Sequence, residues 1–190
     1  MTTSRRAPGR PRTRVNTVVF AATLRTVHEF GYARATVERI AVAAGIAKTT
    51  IYRRWPTKGA LIVDCLLDAF GPVPLEGTGR AEQMATAIRW IAAKTSQPGV
   101  GDAFAGVFSD GVSDPALRET LATRLQEPYK LALQNALGES EQQALFLIDV
   151  VVGTLLHRMG MTGEPMIETD VDALVRMVLR HLATDPNPSG

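Results

Sequence analysis

An all-α chain of about nine helices is what this sequence predicts, three short ones forming a basic head and the rest an acidic body. Three observations carry that expectation. Apolar residues recur at i, i+3, i+4 and i+7, and no stretch alternates at period two for the length of a strand. Cap residues and Gly or Pro stops bracket the periodic stretches. Aromatic side chains make up only 6% of a chain that is 45% apolar, which suits helices packed through Ala, Leu and Val.

Residues 1–14 hold five arginines, two prolines and almost nothing apolar, so they cannot bury enough surface to offset ordering. A disordered basic arm is expected there. Phe20, Leu24 and Val27 then share a stripe, and Gly31 stands at a C′ position, predicting a first helix over about residues 15–30. Thr36 caps a second helix, with Glu38 complementing the dipole and Val37, Ile40, Ala41 and Ala44 facing inward. Gly45 closes it, since a turn there needs a left-handed residue. A third helix runs from Ala47 to Trp55 and stops at Pro56. Thr57 caps a fourth that reaches about Phe70, and the Gly- and Pro-rich residues 71–79 form a loop.

Helices follow near 81–96, 101–112 and 115–137. The last of these opens on Asp114 and Pro115 as N-cap and N1, and Pro128 inside it predicts a kink or break. Two more, about 140–161 and 168–184, are joined by a turn at 162–165. The divisions expected are thus an arm (1–14), a three-helix head (15–58), a larger helical body (59–184) and a flexible tail (185–190).

A net charge of +2 conceals a strong asymmetry. Residues 1–58 carry twelve Lys and Arg against Glu29 and Glu38, net +10, and the remainder carries nine against seventeen, net −8. One part is built to meet a polyanion and the other is not. The longest apolar stretch, Ala144 to Leu156, is broken by Asp149 and falls short of the ~18 residues of a membrane span. No apolar segment backs the N-terminal basic residues as in a signal peptide. The expectation is a soluble cytoplasmic protein with no membrane partner. Cys65 has no second cysteine to pair with, and burial is its default among Ile62, Leu66 and Phe70. His28, His157 and His181 lie far apart, and HExxH, CxxC and GxSxG are all absent. No catalytic residue, metal or cofactor is expected, and the chain is read as no enzyme.

Two short helices around Gly45 match a helix-turn-helix, whose second helix reads the major groove. Its outward face carries Lys48, Thr49, Thr50, Tyr52, Arg53 and Arg54, donors that reach base edges or phosphates. The string Thr36-Val37-x-x-Ile40-Ala41-x-x-Ala44-Gly45-Ile46-Ala47-x-x-Thr50-Ile51-Tyr52-x-x-Trp55-x-x-Lys58-x-x-Leu61 resembles the DNA-binding signature of the tetracycline-repressor (TetR) family, over about residues 15–64. Residues Val152-Gly153, His157-Arg158 and Thr162 to Pro165, on to Leu179, resemble the dimerisation end of one actinobacterial-type branch. The resemblance implies a homodimer that reads a partly palindromic operator in double-stranded DNA, and a body that binds a small effector. It places Lys48, Thr49 and Arg53 on bases, and Thr36, Thr50, Tyr52, Arg54 and Lys58 on phosphates. Ala47 departs from the pattern, since a hydroxyl is common there, and Trp55 replaces a usual phenylalanine.

Rival readings stand beside several of these. Tyr52 also suits a half-buried packing role, Lys58 a solvated charge, and Trp55 is read as core. Pro8-Gly9-Arg10-Pro11-Arg12 resembles an AT-hook core, with Arg10 and Arg12 entering a narrow minor groove, and equally suits a tail giving non-specific attraction. Met84, Trp90, Phe104, Phe108 and Tyr129 are the large apolar residues of the middle helices and either line the effector pocket or are plain core. With no arginine cluster to hold an anion, a largely apolar effector is expected. Asp149 is placed to pair with a partner-chain arginine, and His157 and Arg158 at a dimer seam or pocket wall. The function expected is a ligand-responsive regulator, a repressor released from its operator by the effector. An architectural DNA-binding protein without an effector and a module whose basic arm binds anionic lipid are the alternatives.

Overall fold

The computed structural model describes residues 10–184, and every regular element among them is helical. Helix α1 (Arg10–Phe30) starts before the predicted Val15, so residues 10–14 are helical rather than part of an unstructured arm. Pro11 suits a first turn, where its missing N–H would have no partner anyway, and arginine is a good helix former. The backbone at Arg10 and Arg12 is therefore not the extended form that the AT-hook reading requires. The rest of that motif, and the arm and tail expected at 1–9 and 185–190, lie outside the described residues.

Helices α2 (Val37–Ala44) and α3 (Lys48–Tyr52) pack on α1 as the head. Thr36 accepts the Arg39 N–H at 3.3 Å, and Gly45 turns the chain at φ 64°. Helix α3 ends at Tyr52, short of the predicted Trp55, and Ala47 offers no capping bond at its start. The head core gathers Val19, Phe20, Ile40, Ile51, Trp55 and Leu61, with the Phe20 and Trp55 rings 5.6 Å apart. Burying each such side chain contributes about 1.5–3 kcal/mol.

Helix α4 (Lys58–Phe70), capped by Thr57, belongs to both halves. Its Leu61 and Cys65 complete the head core, while Ile62, Val63, Leu66 and Phe70 enter the body core. Cys65 is fully buried, and burial pushes its thiol up to about 12. The body continues with α5 (Arg80–Thr95), α6 (Val100–Ser113) and α7 (Pro115–Thr120), the last capped by Asp114 with Pro115 in its first turn. A π-helical segment (Leu121–Gln126) then leads into α8 (Glu127–Leu137). This is the break that Pro128 predicts. Proline lacks the N–H and crowds the carbonyl four residues back, and a widened turn accommodates both.

Helix α9 (Glu141–Thr162) opens with a capping box between Ser140 and Gln143. By length and composition it is apolar enough to cross a membrane. In the fold it packs Ala144, Leu147, Val151 and Leu155 into the body core. Helix α10 (Glu168–Thr184) lays Val171, Leu174, Val175 and Val178 in the same core and lies against α5, where Arg89 pairs with Asp172 at 2.9 Å. Arg158 pairs with Asp170 at 2.6 Å, which ties α9 to α10.

Candidate nucleic-acid interface and body cavity

Five residues of helix are enough to display a reading face because the core holds α3 by one side. Ile51 is 1% exposed and anchors it, which turns Lys48, Thr49, Tyr52 and Arg53 outward, with Thr50 at the edge. Thr36 lies exposed at the start of α2, its hydroxyl already accepting from the backbone. Lys48 pairs with Glu38 and lies over the Tyr52 ring at 5.4 Å. That pairing raises the ammonium's pKa and lowers the carboxylate's. A base contact by Lys48 must therefore displace Glu38. Arg54 leans back onto α1, donating to Asn16 Oδ1.

Lys58, expected on the phosphates, is turned inward instead. Its Nζ donates to the Tyr32 carbonyl at 2.7 Å and lies 3.7 Å from the Tyr32 ring centroid. Burial lowers its pKa, opposed by the Asp110 carboxylate. The reason is the loop after α1, which brings the Tyr32 ring and carbonyl, the latter also accepting the Ala35 N–H at 3.3 Å, to the first turn of α4. Lys58 thus belongs to a joint between head and body. Within that joint the Tyr32 hydroxyl donates to Asp110 Oδ2 on α6 at 2.6 Å, and burial with the neighbouring carboxylate raises the phenol's pKa. Tyr32 also needs Gly106 beneath it, since a Cβ there would stand 2.0 Å from the ring. A second joint runs through α4. Trp55 Nε1 donates to Asp64 Oδ2 at 2.8 Å, and Asp64 pairs with Arg124 of the π segment at 2.6 Å. Neither joint is visible in residue spacing. Gly106 is one of three glycines in α6, with Gly101 and Gly111, so the sequence does not single it out.

The body holds a cavity of about 480 Å³ that is partly open to solvent, with Phe108 in its lining 53% exposed. Met84, Trp90, Phe104, Phe108 and Tyr129, the residues picked from the sequence, all line it, together with Phe70, which the sequence reading placed only in α4. Phe70 meets Trp90 and Phe104 edge to face at 6.2 and 5.4 Å, and Trp90 meets Tyr129 at 5.7 Å. The Tyr129 hydroxyl is committed to the Gly71 carbonyl at 2.7 Å, and burial raises it to about 12. Polar side chains enter the wall at Gln126 and Asp149. Two wall elements also touch the head joints. Helix α6 carries Phe104 and Phe108 on the cavity and Asp110 on Tyr32; the π segment carries Leu121, Leu125 and Gln126 on the cavity and Arg124 on Asp64. Among the described residues, no cluster of His, Cys, Asp or Glu is arranged to hold a metal ion.

A helix-turn-helix head with a basic reading face, fixed to a hollow helical body, defines a DNA-binding regulator of the one-chain type. Residues 19–65 match the family model for bacterial regulatory proteins of the tetR family, and residues 76–178 match the tetracyclin repressor-like C-terminal domain. The chain belongs to the TetR family of transcriptional regulators. It is 29% identical over 184 residues to the uncharacterised HTH-type transcriptional regulator Rv1556 of Mycobacterium tuberculosis, covering 91% of this chain and 88% of that one. YdeS of Bacillus subtilis, an uncharacterised regulator of the same type, is 27% identical over 177 residues, covering 88% and 89%. Among solved structures, a TetR regulator from Haloarcula marismortui superposes with a TM-score of 0.67 at 16% identity, covering 88% of this chain and 96% of that one. The multidrug binding protein EbrR, crystallised with imidazole, gives 0.67 at 20% identity over the whole of both chains.

Proposed function

We propose that the chain works as a homodimeric repressor, released from a partly palindromic operator when a small, largely apolar molecule fills the body cavity. The observation that carries this reading is the double role of α6 and the π segment, each with one side on the cavity and the other on a joint to the head. A ligand that pushes either element changes the seat of Tyr32 or of Trp55, and with it the angle at which α3 is presented. Two heads must meet major-groove faces about 34–36 Å apart, so a small rotation of each spoils docking of the pair. Effector and operator then favour different members of one ensemble. Similarity to a multidrug binding protein supports a cavity used for ligands in this architecture.

On the DNA side, Lys48, Thr49 and Arg53 are assigned to bases, and Thr36, Thr50 and Tyr52 to phosphates, with Arg54 flanking them. The exposed apolar residues Phe146, Met161, Ile167 and Met177 on and between α9 and α10 support a dimer seam built as a four-helix bundle. An operator placed between a promoter and a reporter tests the sign of regulation. Expressing the chain should lower reporter output, and a cavity ligand should restore it. Output that rises on expression would make the protein an activator.

A further inference from the structure

We infer that the cavity selects a lipophilic monocation, an aromatic or quaternary onium compound, with Asp149 as its counter-charge. This rests on the cavity being the effector site. The wall offers five aromatic rings, those of Phe70, Trp90, Phe104, Phe108 and Tyr129, and among the described lining residues there is no Lys, Arg or His. Ring faces attract a cation that has shed its water, and attract it most when nothing positive competes. Asp149, an exposed residue at the cavity's edge, carries the one carboxylate among the lining residues, and it has no ion pair or hydrogen bond among the described residues. The nearby cations are committed elsewhere. Arg124 pairs with Asp64, and Lys130 with Glu127 and Glu141, both at 2.7 Å.

The scarcity of other polar groups narrows the ligand further. With the Tyr129 hydroxyl proton held by Gly71, the side-chain polar groups left along the wall are the Gln126 amide, the Trp90 indole N–H, the Asp149 carboxylate and the Tyr129 oxygen as an acceptor. An anion would be desolvated near a carboxylate with only two neutral donors for company, and a primary ammonium would have to gather its three N–H groups onto the few scattered acceptors of an apolar wall. A cation whose charge is spread or alkylated needs neither. The acidic body, net −8 over residues 59–190, favours the same sign at long range.

Three probes of the full chain separate the possibilities by titration calorimetry: tetraphenylphosphonium, its anionic twin tetraphenylborate, and neutral N-phenyl-1-naphthylamine. The phosphonium should bind at least about tenfold more tightly than the borate, and Asp149→Asn should weaken it about threefold to tenfold while leaving the naphthylamine unchanged. Naphthylamine binding with no preference for the phosphonium would overturn the cation inference and leave the cavity reading standing. Failure of all three to bind would overturn the cavity reading as well. If Asp149→Asn loosens the dimer by sedimentation yet leaves phosphonium affinity intact, Asp149 serves the second copy and the inference falls.

Discussion

Arg53, Tyr52 and Lys58 lie within seven positions of one another, yet Tyr52 and Arg53 face solvent while Lys58 is held against Tyr32. Arg53 stands on the exposed end of α3 with room for a bidentate base contact, and Arg53→Ala should cost about 1–3 kcal/mol on the preferred operator while flattening its preference over mutated sites. On the phosphate role proposed for Tyr52, Tyr52→Phe should weaken all duplexes alike. Lys58→Ala should behave differently from both. Its ammonium faces the Tyr32 carbonyl and ring, so the substitution should leave the salt slope of DNA binding unchanged and lower thermal stability, by about 0.5–1.5 kcal/mol. Titrations at several salt concentrations and thermal melts distinguish these. A slope reduced by about one would return Lys58 to the phosphates.

At the scale of elements, local chemistry was readable and tertiary chemistry was not. Thr36, Gly45, Thr57 and Asp114 mark helix ends because a cap is satisfied within three or four residues of itself. Large apolar residues on the middle helices were legible as such, but whether they line a cavity or fill a core was not, and neither was the place of Phe70 beside them. The register of the π segment was hidden as well. Pro128 announces a break, but only packing decides that six residues before it widen rather than unwind. Nor does any spacing reveal that Arg124 reaches Asp64, or Tyr32 reaches Asp110, since these pairs meet only after the body closes on α4. The early start of α1 was missed for the opposite reason, because composition argued against order where a neighbouring helix could extend. Arg124 supplies the test at this scale. Arg124→Ala should leave operator affinity and cavity binding near their original values while reducing the ligand's effect on DNA binding, measured as the coupling between the two affinities. Undiminished coupling would put transmission wholly in α6.

For the whole molecule, the charge division is the organising fact. Residues 1–58 carry net +10 and include the DNA-binding head, while the body carries net −8 and leaves apolar side chains of α9 and α10 exposed, the faces proposed for a second copy. Phe146→Glu, at a side chain 53% exposed, should convert dimers to monomers in sedimentation and cost operator affinity at least about tenfold while the head stays folded, because one head keeps only half the contacts. A variant that remains dimeric would move the seam elsewhere. The most direct test of a dimeric reader is the DNA it chooses. Duplexes selected by the purified protein from a random pool, once sequenced, should show inverted half-sites with centres one helical turn, about 10–10.5 base pairs, or a multiple of it apart. Enriched sequences without inverted symmetry would contradict it.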